Sequence, residues 1–414
     1  MKKRKYAVVG TGFRGMTMFV KPMVKDDLAG SVDLVGVYDS NSARMDKAEE
    51  WLGVKLPKFN DFDQMLRQSD ADGVIIATRD STHAEYVVRS LRAGKRVFVE
   101  KPLCTTAQQC RDILAVAKET GGTVLTTHNM RYDAACCSIR SLIQQGRAGK
   151  IRHVSFEDTL DRSHGADYFR RWHSRRANTG GLQIHKASHH FDILNWWLEA
   201  KPVRLFAQGG LKFYGKSSPK NHVRCTGCPH ASSCAFYVDL SKIPIYQKLY
   251  FEAEHVDGYY RDGCVFSPEI DIEDQLDVAI TYDNGVEVSY CLVAHAAYEH
   301  MRLAFDGTMG RIEHDTAYSP SQLLATDSKV TERQRLICPG YETMEVPIQR
   351  ADGDHGGADP MLRSDFFIRD WDAPPTSQMA SLDQAIQAIL IGVAINKSIK
   401  TGQPVDVQAL LDRE

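Results

Sequence analysis

In the stretch GGLQIHKASHHFD, residues 180–192, His185, Lys186, His189 and His190 fall within six positions. Imidazoles titrate near neutrality and move protons in catalysis. Histidines four apart on a helix also suit a divalent metal. A helix from Gln183 to about Leu198, at ~100° per residue, puts Ile184, Ala187, Phe191, Leu194 and Leu198 on one apolar stripe. His185, His189, Asp192 and Trp196 then fall on the opposite side, and Lys186, His190 and Trp197 form a third stripe. On this wheel His185 and His189, at i and i+4, address one site. Proton transfer or ligand binding is the reading preferred here over a metal pair or a solvated face.

Two further groups carry chemistry. The run HGADYFRRWHSRRANTGG holds Arg170, Arg171, Trp172, His173, Arg175 and Arg176 just ahead of that helix. It is expected to line a pocket, with Trp172 as a stacking surface and an arginine for a hydroxyl, carboxylate or other anion. Farther on, Cys225, Cys228 and Cys234 are spaced C-x2-C-x5-C, and Cys264 follows. Three close thiols plus one distant suit a tetrahedral structural zinc. His222 and His230 are alternative ligands, an iron–sulfur cluster uses the same ligand type, and unligated buried cysteines are the rival reading.

Something must position these groups. KYAVVGTGFRG is an apolar strand followed by Gly10, Thr11, Gly12, Phe13, Arg14 and Gly15. A helix over roughly 15–28 is expected next, then the strand VDLVGVYD ending in Asp39. This is the dinucleotide-binding order: glycines allow close approach to a pyrophosphate, and the acidic residue meets the adenosine ribose. A carboxylate there favours NAD over NADP. Strand signals recur at 73–79, 96–103 and 123–132, separated by amphipathic helical segments. That alternation implies a doubly wound parallel sheet with ligands at its carboxyl edge. Thr78, Glu100, Lys101, Pro102 and Asn129 lie at or after such strand ends. The later runs QLDVAITYDNG, VEVSYCLVAHA and HMRLAFDGTMGRIEHD alternate as strands, with a hairpin turn at Asp283, Asn284 and Gly285. A final amphipathic helix ends at Gly402, and the loop-like run 349–360 carries His355.

Length and composition bound the answer. The chain has 414 residues, 43% hydrophobic and 25% charged, with formal net charge −2. That length suits two domains, and the balance gives no case for nucleic acid or an anionic membrane. No apolar run approaches the ~20 residues of a membrane span, so a cytoplasmic location is expected.

Taken together, VVGTGFRG, ATRDSTHAEYV, EKPL, HNMRY, GGLQIHKASHHFD and ILIGVAINKSIKTGQPVDV resemble, in their order and spacing, the glucose–fructose oxidoreductase / inositol dehydrogenase / rhizopine-catabolism (Gfo/Idh/MocA) family. The resemblance spans most of the chain. It implies an α/β architecture: an N-terminal Rossmann domain over 1–125 and, over 126–414, a C-terminal α/β domain with a large, mostly antiparallel sheet. The Cys-rich insertion is placed around 222–265 in that second domain, and the C-terminal helix near the domain junction. The family acts on hydroxyl or carbonyl groups of sugars and cyclitols with a nicotinamide cofactor. The resemblance implies NAD contacts at Gly10, Gly12, Phe13, Arg14, Gly15, Asp39, Thr78, His83, Glu100, Lys101 and Asn129. Lys101 is implied to face nicotinamide and substrate, with His189 as the family histidine and Asp192 as the later aspartate. His185 stands where the family usually has aspartate, and Ala187 where it usually has glycine. Catalysis is assigned to Lys101, His189 and His185, and contacts with a carbohydrate to Arg131, Arg171, Trp172, His173, Lys186 and His190. A homo-oligomer, dimer or tetramer, through the C-terminal sheet is expected. An NAD-dependent sugar, polyol or glycoside oxidoreductase is the first reading. A redox-neutral NAD-dependent glycosidase is the alternative, and a non-catalytic nucleotide sensor the remote one.

Overall fold

The computed structural model describes residues 3–218, 222–318 and 331–412. They divide into two compact units that do not follow chain order. The first comprises Met1–Tyr132, Val238–Asp262 and Gly353–Ile386; the second comprises Asp133–Tyr237, Gly263–Asp352 and Gln387–Glu414. Residues 126–132, 238–262 and 353–386, assigned from sequence to the second domain, thus group with the first unit.

Five parallel strands build the first unit: β1 (Arg4–Val9), β2 (Val32–Tyr38), β3 (Gly73–Ile76), β4 (Arg96–Val99) and β5 (Val124–Thr126), in the order β2-β1-β3-β4-β5. Val8, Val9, Val74, Ile75, Ile76, Val97, Phe98 and Val99 have no exposure, as a sheet covered on both faces requires. The helices between strands are punctuated by side-chain caps and glycine stops. Asn41 caps Ser42–Leu52 by accepting from the Arg44 N–H, and the helix stops at Gly53 in the left-handed region. Thr106 caps Ala107–Thr120, which ends at Gly121 in the same way. The late segment around Phe366 and Phe367 completes this core. Phe367 packs edge-on to Tyr6 at 5.2 Å and Phe98 at 5.1 Å. Truncating such a side chain to alanine costs ~3–5 kcal/mol.

The second unit is built on nine strands: β6 (Ile151–Asp161), β7 (Pro202–Gly210), β8 (Gln275–Tyr282), β9 (Glu287–Ala296), β10 (Glu299–Gly307), β11 (Arg311–Tyr318), β12 (Thr331–Ile337), β13 (Met344–Glu345) and β14 (Val405–Asp406). Their order is β13-β12-β11-β10-β6-β9-β8-β7-β14, and β6 with β9 is the parallel pair in an otherwise antiparallel ladder. Asp283, Asn284 and Gly285 make the expected β8–β9 hairpin, with Gly285 at φ +80°. The final helix, Leu382–Thr401, stops at Gly402 with φ +66°. Among the described residues no helix is long and apolar enough to cross a membrane.

Candidate functional site

In the first unit the site is a turn whose shape only glycine permits. Gly10 has φ +96°, and a Cβ there would stand 2.4 Å from the Ala77 carbonyl oxygen. On Gly15 a Cβ would stand 2.0 Å from the Gly10 carbonyl oxygen. Strand, turn and following helix therefore touch through main chain, which leaves room for a phosphate to approach. Asp39, after β2, is 8% exposed and fixes the turn. Its Oδ2 accepts from the Thr11 N–H (2.7 Å) and Oγ1 (3.0 Å); its Oδ1 accepts from the Asn41 N–H (2.8 Å) and Arg44 Nη1 (3.0 Å). A carboxylate has about four acceptor positions, so Asp39 uses all of them: two on Thr11 of the turn and two on Asn41 and Arg44 just after β2.

The other strand ends converge on a carboxylate pair. Arg14 donates from Nε to Glu100 (2.8 Å) and from Nη1 to Asp359 (2.9 Å). Asp359 also accepts from Asn129 Nδ2 (2.8 Å) and lies 2.9 Å from His355 Nδ1. Burial alone would raise the Asp359 pKa, but the His355 hydrogen bond and the Arg14 guanidinium outweigh it and hold it below the usual carboxylate range. Lys101, half-buried, follows directly on Glu100, whose Oε2 accepts the Lys101 N–H at 3.1 Å. His83 is 1% exposed, with Nδ1 2.7 Å from the Pro102 carbonyl oxygen and Nε2 3.2 Å from that of Thr78. Burial lowers its pKa, and each ring nitrogen faces a main-chain carbonyl oxygen. His83 thus braces the Thr78 and Pro102 loops from inside. Arg131, expected to meet substrate, is fully buried and donates to Gln384 at 3.0 Å, which argues against direct substrate contact.

In the second unit the single helix expected over 183–198 is broken. Leu182–His185 and Ser188–Leu198 are separate pieces, because the turn at Lys186 and Ala187 brings both N–H groups back to the Leu182 carbonyl. The continuous wheel that put His185 and His189 on one face does not hold across this break. His185, His190, Asp192, Trp196 and Trp197 are all buried. His190 is packed in the core, its Nδ1 2.9 Å from the Tyr290 hydroxyl and its ring 4.8 Å from Phe156. His189 is half-buried.

His185 instead joins the upstream run. Its ring lies 4.1 Å from His173, 5.6 Å from Tyr168 and 5.9 Å from Trp172, and Trp172 stacks on His173 at 3.7 Å. Lys186 lies 3.7 Å from Asp158. Burial would lower its pKa, yet the charge of Asp158 prevails and leaves it raised; Lys186 is a held cation. His164 reaches Glu299 (2.7 Å) and the Tyr168 hydroxyl (3.3 Å). The arginines of the run are engaged within the unit. Arg170 donates to Phe236, Arg171 pairs with Asp167, Arg175 with Glu269 and Arg176 with Glu273.

The Cys-rich segment is part of this second unit. Cys225, Cys228, Cys234 and Cys264, with His230, line one small cavity. The bridge between Arg224 and Gly263 brings the distant cysteine to the first three. Among the described residues, however, no three His, Cys, Asp or Glu side chains are gathered as a metal centre requires. The zinc expectation is corrected accordingly: the thiols line the walls of the cavity, and Cys225 Sγ sits 3.7 Å from the Arg170 guanidinium.

Sequence reasoning missed Asp158, Tyr168 and Asp359. Asp158 carried a signal, since it occupies an inward position of the alternation Val154, Phe156, Asp158, Leu160, where the other three are apolar. Tyr168 stands four residues after His164 on one helix, Arg162–Arg170. Asp359 carried none, because nothing local ties residue 359 to residue 14.

Two family models match the chain: an oxidoreductase family NAD-binding Rossmann fold over residues 4–128, and the C-terminal α/β domain of the same Gfo/Idh/MocA oxidoreductase family over 140–407. "Putative oxidoreductase YteT" of Bacillus subtilis (strain 168) is 31% identical over 98% of both chains. Inositol 2-dehydrogenase of Rhizobium meliloti (strain 1021) is 30% identical over 44% of this chain and 52% of its own. An oxidoreductase from Agrobacterium radiobacter, solved in complex with NAD+, L-tartaric acid and magnesium, is similar at TM-score 0.69 and 14% identity, covering 99% of this chain and all (100%) of its own. That last likeness is one of fold alone.

Proposed function

The chain belongs to the Gfo/Idh/MocA oxidoreductase family, and from that premise we propose that it is an NAD-dependent enzyme acting on a hydroxyl or carbonyl group of a sugar, polyol or glycoside. The observation that carries the substrate class is the cluster of Tyr168, Trp172, His173 and His185. Aromatic faces stack on the C–H faces of sugar rings, and imidazoles exchange hydroxyl protons near neutral pH. The partial match to an inositol 2-dehydrogenase supports the same class.

The Gly10–Gly15 turn fits a dinucleotide, because its glycines leave main chain where a pyrophosphate approaches. Asp39 keeps the turn in that shape and keeps negative charge near the ribose, which favours NAD over its 2′-phosphorylated form. When bound, NAD supplies the two-electron acceptor for the carbon-bound hydrogen of an alcohol. The family resemblance assigns proton handling to Lys101 and His189, and the ring cluster of the second unit adds His185. The Arg14–Asp359–Asn129 network holds Glu100, and with it the main chain of Lys101.

A redox-neutral glycosidase is the second reading. His164, Tyr168, His173 and His185 offer more acid–base groups than one hydride transfer uses, and elimination beside a transient ketone needs an additional base. One assay separates the two on candidate glycosides and polyols. The first reading expects NADH in step with product and no solvent deuterium in it. Glycosidic cleavage with catalytic NAD+, no net NADH and deuterium at the carbon next to the oxidised one would replace it with the second.

A further inference from the structure

The segment Val238–Asp262, encoded between two stretches of the second unit, is folded onto the Gly-rich turn of the first. The Phe13 N–H, at the start of the helix after the turn, is one of the donors such a turn offers to an anion. Here it donates to the Tyr250 hydroxyl at 2.7 Å. A Cβ on Gly12 would meet that hydroxyl at 3.2 Å. The segment is anchored on both sides of this contact. Leu249 is fully buried, and its carbonyl accepts from Arg44 Nε at 3.0 Å. Arg44 also bonds Asp39 (3.0 Å) and Asp257 (2.7 Å), while Asn41 Nδ2 donates to the Ala253 carbonyl at 2.9 Å. Behind the tyrosine, the Arg261 guanidinium lies 4.0 Å from the Tyr246 ring centre and 4.9 Å from that of Tyr250.

We propose that Val238–Asp262 is a strap belonging to the dinucleotide site: Tyr250 donates its hydroxyl to the pyrophosphate of the bound cofactor, and the strap slows cofactor release. This rests on the NAD reading above. The strap cannot withdraw without exposing Leu249 and breaking the Arg44 bonds. An incoming pyrophosphate therefore meets Tyr250 in place. A phenolic hydroxyl both accepts and donates, so Tyr250 can keep the Phe13 N–H and still turn its own proton to a phosphate oxygen. Asp257, through Arg44, ties the end of the strap to the residue that fixes the turn.

The test uses the full chain and three probes: ADP-ribose, adenosine and NADH. Tyr250→Phe is expected to weaken ADP-ribose about tenfold, the scale of one hydrogen bond to a charged group, and to leave adenosine unchanged. NADH release, followed by its fluorescence, should quicken by a similar factor. Equal ADP-ribose affinity overturns the contact, and tighter affinity does so too, since it makes Tyr250 a competitor of the phosphate. Asp257→Asn leaves Tyr250 intact and loosens the strap, so it should speed NADH release; an unchanged release rate overturns retention even if Tyr250→Phe fails to fold. Wild-type protein that binds neither ADP-ribose nor NADH removes the NAD reading and the strap together, an outcome distinct from failure of the variants alone.

Discussion

The Gly10–Gly15 turn and the cluster around His185 are built in opposite ways. The turn is shaped by glycine contacts and by the Thr11 N–H donating to Asp39. The cluster is shaped by side chains: three aromatic or imidazole rings within 6 Å of His185, and a held Lys186 beside Asp158. A main-chain site tolerates change only where a side chain is already accepted, and it recognises what is common to all dinucleotides. A side-chain site can be altered one residue at a time, and there a family varies its substrate. His185 falls in the second kind of site.

The sharpest way to break this comparison is kinetic. Lys101→Ala and His185→Ala are each expected to lower kcat by ~10²–10⁴-fold, the usual contribution of a positioned proton-transfer group. NADH affinity should stay within about threefold by the same logic, because the turn is untouched. Near-normal turnover in either variant would remove that residue from the chemistry. A parallel loss of NADH binding would mean the two regions are not separable.

A middle-sized effect sharpens the cofactor side. Asp39→Ala removes the carboxylate that repels a 2′-phosphate and releases Arg44 from one of its partners. The NAD to NADP preference, from binding titrations of both, should shift toward NADP by roughly tenfold or more. Four hydrogen bonds accepted by Asp39 are also lost, two of them from Thr11 in the turn, so thermal stability should drop by about 1–3 kcal/mol. An unchanged preference would mean that Asp39 only braces the turn.

The smallest effect concerns pH. The folded pKa of His83 is lowered by burial, so the folded state takes up its proton less readily than the unfolded chain. Its contribution to stability is present above the unfolded value of about 6.5 and is lost as pH falls through the lowered folded value. Melting temperature should therefore decline as pH falls below about 6.5, and the decline should be shallower in His83→Gln. Parallel curves for the two proteins would count against the buried imidazole as a source of acid sensitivity.

Much of the first unit was legible because its rules are local. Gly10, Gly12, Gly15 and Asp39 are fixed by spacing along one βαβ unit, and the remaining strands announced themselves as apolar runs. In the second unit, the helix stop at Gly402 followed the same local logic. The second site was less legible. Trp172, His173 and His185 were singled out from composition and do come together, but the wheel that related His185 to His189 assumed a helix that breaks at Lys186. The break is set by return of the Lys186 and Ala187 N–H groups to Leu182, a local choice that apolar periodicity does not encode. His190 and Arg131 look functional as isolated letters, and the fold buries both. Asp359 joins Arg14 across most of the chain, and no window of sequence connects them.

The interleaving of the two units has a consequence for biosynthesis. The first unit takes its last segment from Gly353–Ile386 and its strap from Val238–Asp262. A ribosome that has delivered the five strands of its sheet has therefore not yet delivered Phe366, Phe367 or Tyr250. At roughly 5–20 residues per second, the nascent sheet waits on the order of tens of seconds with the Tyr6 and Phe98 rings uncovered. Such a chain is exposed to aggregation and to chaperone capture during translation. A fragment cut after Tyr132 would keep that exposure permanently.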